Sequence, residues 1–321
     1  MRRLATATVL ALGFATVPLL SQLPDVQRHL DAAREAAGND HVLLFDRICA
    51  EAERIAAPRP PRTARRGPRP TPPRESWYAE PVQVFDNLYY VGMTDYSAWA
   101  VTTSDGIILI DAIFDYSVED EVIDGLTTMG FDPADIKYVV VSHAHLDHAG
   151  GAKLLQERYG SQVVMGAADW DLLDERNPAW KPKRDIVATD GQRLSLGDTT
   201  VTLYLTPGHT EGTISTLVPV RDGGRSHLAA AWGGTAFNFG PDRERLQMYT
   251  DSAERFRDIV EEAGADVLIA NHTNFDGSKT KIPALATRQP GGPHPYVVGT
   301  DTVARYVTVA HECAQAALAG L

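Results

Sequence analysis

Three things are scarce in this chain, and each scarcity narrows what it can do. Only two cysteines occur in 321 residues, Cys49 and Cys313, and neither lies near the histidine-rich segments described below. If the protein is exported, an even count suggests a Cys49–Cys313 disulfide; the alternative is two small buried hydrophobes. No apolar run reaches the roughly 20 residues that a bilayer-spanning helix needs. The nearest approach, Leu4 to Leu20, is diluted by threonines and interrupted by Pro18. After Met1-Arg2-Arg3 it reads as a secretory signal peptide over residues 1–22, with an uncleaved anchor as the alternative, so we expect a periplasmic or secreted protein. Positive charge is also in deficit. A net charge of -12 disfavours nucleic acid as a partner, because phosphate binding needs a cationic surface.

What remains suits one large folded domain, since 44% hydrophobic and 22% charged residues give a sizeable core without the composition of a disordered chain. Residues 23–57 read as a helical extension broken at Gly38-Asn39, with Asp40 placed to cap a second helix that carries Leu44, Ile48, Ala52 and Ile55 on one face. Residues 58–76 form an Arg/Pro-rich linker. Its stretch from Pro58 to Arg74 holds seven prolines and six arginines, too few backbone donors for a regular element. It is either a solvated spacer or a basic tether for anionic surfaces. One large domain is expected over 77–321. There, short strand patterns and hairpin turns (Asp86-Asn87, Asp105-Gly106, Gly197-Asp198) alternate with helical stretches at 117–129, 149–158, 252–263 and 301–318, and the stretch from Pro219 to Arg225 separates two further strands.

The chemistry is concentrated in Ser142-His143-Ala144-His145-Leu146-Asp147-His148, directly after the buried-strand pattern Tyr138–Val141. Neutral imidazole and carboxylate are the donors that zinc and similar divalent ions prefer, and a strand end fixes them rigidly while facing solvent. His209, in Pro207-Gly208-His209-Thr210, and His272, after Val267–Ala270, occupy the same kind of position, where open α/β sheets place ligands. The other histidines (His29, His41, His227, His294 and His311) read as surface or packing residues.

These motifs, in this order and spacing, resemble the metallo-β-lactamase superfamily, and most closely its third lactamase subclass. The resemblance implies a four-layer αβ/βα sandwich and two Zn2+ ions, with other first-row divalent metals possible. It assigns His143, His145 and His209 to the first ion and Asp147, His148 and His272 to the second. Between His209 and His272, many relatives place a bridging Asp or Cys. Here Ala230-Ala231-Trp232-Gly233-Gly234-Thr235-Ala236-Phe237 offers neither, as in the third subclass, although that subclass's Asp-Ser-x-Ser is missing too. Thr235 alone aligns with its second serine.

The expected activity is opening of a β-lactam amide by a metal-bound hydroxide that Asp147 orients. Thr235 and Asn238 are candidate donors to a substrate carboxylate, and Trp77 and Phe237 candidate walls of a pocket for a small molecule. Two competing readings are a hydrolase of the same scaffold acting on a lactone, ester or thioester, and a non-catalytic module that keeps metal for stability. Composition is silent on oligomeric state.

Overall fold

The computed structural model describes residues 24–56 and 70–321. The expected signal peptide and most of the Arg/Pro-rich stretch therefore lie outside the described residues. The chain enters through α1 (Pro24–Ala37) and α2 (Val42–Ala56), each with a face of short aliphatic residues at helical spacing. Val26, Leu30, Ala33 and Ala37 are buried on α1, and Leu44, Ile48, Ala52 and Ile55 on α2. Asp40 does not cap α2 as expected, because its carboxylate is drawn off into an ion pair with Arg305, 2.5 Å away.

The first sheet follows. It comprises β1 (Val82–Phe85), β2 (Leu88–Tyr90), β3 (Trp99–Thr103) and β4 (Gly106–Ile110), then α3 (Asp124–Thr128), entered through a π turn at Glu119–Ile123. After α3 come β5 (Ile136–Val140), α4 (Leu146–Ala149), α5 (Ala152–Tyr159), β6 (Gln162–Gly166), α6 (Ala167–Arg176) and β7 (Ile186–Ala188). Its strands lie in sequence order from β1 to β7, antiparallel up to β4 and parallel beyond it. Parallel pairing begins where helices begin to intervene, as right-handed crossovers require. The helix expected at 149–158 starts only at Ala152. A Cβ on Gly150 or Gly151 would lie 2.5 Å from the Leu146 carbonyl oxygen or 2.3 Å from that of Ala112, so this corner closes only on glycine.

The second sheet holds β8 (Gln192–Leu196), β9 (Thr199–Leu205), β10 (Ile214–Asp222), β11 (Arg225–Trp232) and, after α7 (Arg243–Ala263), β12 (Val267–Ala270). Its order is β12-β11-β10-β9-β8, with only the β11–β12 pair parallel. The chain then runs through α8 (Thr273–Asp276), α9 (Ser278–Ala286) and α10 (Thr300–Ala319). Pro219 lies inside β10 rather than between strands. It pairs with Leu228 of β11, but the β9 ladder stops at Leu217, so the missing N–H falls where one edge is already released.

Side-chain alternation stacks these parts into four layers. On β4, Ile107 and Leu109 face α3, α5 and α6, whereas Ile108 and Ile110 face the other sheet. On β11, Ala229 and Ala231 point between the sheets, whereas Ala230 and Trp232 point toward α7 and α10. The period of two thus fills three cores with one set of strands. The apolar faces of α1 and α2 join the outer core beneath α10, and Cys49 of α2 is disulfide-bonded to Cys313 of α10.

Candidate metal centre

Every donor of the cluster sits just past the carboxyl end of a strand. His143, His145, Asp147 and His148 follow β5, with Asp147 and His148 on α4; His209 follows β9 and His272 follows β12. The structure gathers them into two sets of three, His143/His145/His209 and Asp147/His148/His272, the donor atoms of each set lying within 4.8 Å of one another.

In the first set, Nδ1–H of His143 donates to the Gly233 carbonyl at 2.9 Å and that of His209 to the Ala236 carbonyl at 2.6 Å. This leaves the Nε2 lone pairs of both rings pointing at each other across 3.1 Å, with His145 Nδ1 another 3.1 Å from His209 Nε2. Three lone pairs facing inward at this spacing repel unless a cation lies between them. Tetrahedral zinc with bonds of ~2.0–2.1 Å would set them about 3.3–3.4 Å apart. Burial also holds His143 well below the ordinary imidazole pKa and lowers His145 to about 4 and His209 to about 3, so these rings are neutral ligands at pH 7.

In the second set, His148 Nε2 lies 3.2 Å from His272 Nε2 and 3.3 Å from an oxygen of Asp147. Its other nitrogen donates to Asp111, 2.8 Å away. Burial opposes a charge on His148, yet the carboxylates of Asp147 and Asp111 outweigh it and raise its pKa. Asp147 would rise on burial alone, but the imidazoles, His148 foremost, hold it below the usual carboxylate range. A pocket that favours positive charge this strongly against desolvation suits a cation. Both donor sets therefore fit a divalent ion.

Two buried acids that motif reasoning missed hold the donors in place. Asp111, at the end of β4, accepts from the Ser142 amide at 2.7 Å and hydroxyl at 2.9 Å as well as from His148. Its left-handed φ of 62° is an uncommon conformation, of the kind that concentrates at functional sites. Asp169 on α6 ties the two donor loops together, accepting from the Ala144 amide at 2.7 Å, the Thr210 hydroxyl at 2.8 Å and the Gly212 amide at 3.0 Å. A signal for Asp111 was present, because it too ends an apolar run, Ile107–Ile110. Asp169 carries none.

The segment without a bridging acid backs the imidazoles instead. Gly233 supplies the carbonyl for His143 and for Asn271, and a Cβ on Gly234 would lie 2.4 Å from that of His209. Of the expected substrate contacts, Asn238 lines a cavity of about 620 Å³ beside His145 and His209. The other three turn inward. Thr235 is 2% exposed with its hydroxyl 3.4 Å from that of Tyr306. Phe237, also 2% exposed, packs edge-on to Tyr249. Trp77 is buried, with its indole N–H on the Pro72 carbonyl, and is separated from the site by Tyr116, Phe114 and Tyr96 in turn. Tyr96 in turn touches His272, at 5.0 Å between rings. A larger cavity, about 720 Å³, lies among Gln83–Asp86, Asp222 and Arg288, and none of the six donors lines it.

Residues 91–222 match the family described as the metallo-β-lactamase superfamily. Among curated relatives, the chain is 33% identical over 108 residues to hydroxyacylglutathione hydrolase of Acidiphilium cryptum, covering 34% of this chain and 38% of the relative. It is 36% identical over 108 residues to N-acyl homoserine lactonase AttM of Agrobacterium fabrum, covering 30% and 41%. The chain thus spans about two fifths of the length of these relatives. Solved structures match over more of it. The subclass B3 metallo-β-lactamase BJP-1 of Bradyrhizobium japonicum superposes with a TM-score of 0.63 at 28% identity, over 72% of this chain and 90% of that one. Native FEZ-1 metallo-β-lactamase of Legionella gormanii gives 0.63 at 25% identity, over 75% and 94%. Residues 91–222 carry a metallo-β-lactamase superfamily domain, and the fold around them is the one shared with the subclass B3 enzymes.

Proposed function

We propose that the protein is a metal-dependent hydrolase that opens the amide bond of β-lactams. The observation that carries this reading is the pairing of two three-donor sets around a bridging position filled by Gly233-Gly234, with no carboxylate or thiol there to join the ions. His143, His145 and His209 hold one Zn2+, and Asp147, His148 and His272 hold the other. When bound, the metal pair supplies Lewis acidity and brings the pKa of a water from 15.7 toward about 7.

The chain's own residues do the rest. Asp111 and the Gly233 and Ala236 carbonyls fix the ring orientations of His148, His143 and His209. Asp147 is one-quarter exposed and engages His148 and His272 through a single oxygen, so its second oxygen can accept a hydrogen bond from the attacking water. Water adds to the lactam carbonyl carbon, the C–N bond breaks, and the nitrogen leaves with a proton.

A second reading, hydrolysis of a lactone or thioester, is favoured by the names of the two curated relatives. Steady-state hydrolysis of a chromogenic cephalosporin by zinc-loaded protein, beside an acyl-homoserine lactone and a glutathione thioester, separates the two. Turnover of the lactam alone is expected, and turnover confined to either of the others would overturn the lactamase reading.

We further propose export to the periplasm or medium, from which a role in antibiotic resistance follows. The disulfide between α2 and α10 supports it, since such bonds persist in oxidising compartments. No helix among the described residues is long and apolar enough to cross a membrane.

A further inference from the structure

With Thr235 turned inward, Asn238 is the one expected carboxylate donor that still faces the cavity, and its amide carries no charge to meet an anionic group on the substrate. Arg245 is engaged with the Gly208 and His209 carbonyls. Arg176 faces the cavity beside His145, but shares its walls with Asp171, Glu175 and Glu211, whose charges oppose an anion. Arg47 of α2 differs. It is exposed, and neither a hydrogen bond nor an ion pair engages it among the described residues. Its guanidinium lies over the Phe275 ring, 5.6 Å from the centroid, and that ring is 5.4 Å from the ring of His272. Through this ring Arg47 reaches the rim of the second donor set. A guanidinium that meets a ring keeps N–H donors for a bidentate carboxylate, and those of Arg47 have no other partner among the described residues.

The segment that carries Arg47 is held from both sides. Cys49, two residues on, is bonded to Cys313. Glu51, two further, accepts the Phe237 amide at 2.9 Å, next to the Ala236 carbonyl that orients His209.

We propose that Arg47 is a specificity residue that binds the carboxylate of an anionic substrate beside Asp147, His148 and His272. This rests on the hydrolase reading. In bicyclic β-lactams the carboxylate sits on the carbon bonded to the lactam nitrogen. Holding it beside His272 therefore directs the departing nitrogen to the second donor set and the carbonyl to His143, His145 and His209.

The test compares a cephalosporin with its methyl ester on the zinc-loaded full chain, in the wild type, R47A, R47K and R176A. The preference of kcat/KM for the free acid is expected to fall about tenfold in R47A, through KM, as loss of one charge-assisted contact implies, and to recover partly in R47K. An unchanged acid-to-ester ratio in R47A, or the same fall in R176A, overturns the assignment. If the wild type hydrolyses neither compound, the hydrolase reading fails on its own account. Arg47 is then judged by isothermal titration of penicilloate, the opened dicarboxylate: about tenfold weaker binding by R47A sustains its role, and equal binding removes it.

Discussion

A metal centre is only as well formed as the groups that aim its ligands, and at the residue scale Asp111 is the clearest case. It touches no candidate ion, yet it fixes which nitrogen of His148 carries the proton and so which one is free to coordinate. We expect Asp111→Ala to weaken zinc binding at the second set by roughly 10–100-fold while sparing the first, because outer-sphere partners typically act on this scale. Competitive titration with a chromogenic chelator would read both sites, and two wild-type affinities in the variant would refute the role. His209→Ala should do the opposite, emptying the first set and leaving the second, as judged by zinc-to-protein ratios. That these six side chains would converge was legible in the sequence, because the three segments that carry them each follow an apolar strand pattern. Thr235 was misread for a related reason. Its position in the motif was right, but β11 ends at Trp232 and the following turn aims its hydroxyl at Tyr306, a direction that spacing does not encode.

At the scale of elements, the turn after β11 and the docking of α2 decide whether the site holds its shape. A methyl group on Gly234 would overlap His209. Gly234→Ala should therefore displace that ring and reduce first-set zinc, with a stability loss of about 1–3 kcal/mol as for other overpacked positions. Metal content and Tm measured together would test this, and a variant normal in both would show that the turn relaxes freely. At the start of α2, His41 is buried with its Nε2–H on the Thr302 carbonyl, and burial lowers its pKa to about 4. The unfolded chain then binds more protons between pH 6.5 and 4. The contribution of this contact is complete above about 6.5 and is lost as pH falls toward 4, up to about 3 kcal/mol. Hydrogen exchange in α2 should accelerate over that window, and His41→Gln should remove the pH dependence. Most elements were readable from periodicity, but α7 was placed nine residues too late. Asp251-Ser252 imitates a helix start, whereas the true cap is Asp242, which accepts the Arg245 amide, and the buried Leu246 and Tyr249 continue the same helical face upstream.

For the whole molecule, one covalent link and one seam set the behaviour. The Cys49–Cys313 bond joins residues 264 apart in sequence, so opening it releases a very large loop in the unfolded chain. Cys49→Ala combined with Cys313→Ala should lower stability by about 2–5 kcal/mol, measured by denaturant unfolding without reductant, and an unchanged midpoint would place the bond's value elsewhere. The seam runs between the sheets. His143 and His145 come from the first sheet and His209 from the second; Asp147 and His148 come from the first and His272 from the second. Each ion would thus be gripped from both halves of the sandwich at one rim, while at the opposite edge the seam is held by side-chain packing and by hydrogen bonds such as those from the Asp86 amide to the Arg221 carbonyl and from the Asn87 side chain to the Pro219 carbonyl. A chelator should then do more than silence the enzyme: it should unzip the rim, so that amides at the ends of β5, β9 and β12 trade their hydrogens faster than those at the opposite edge.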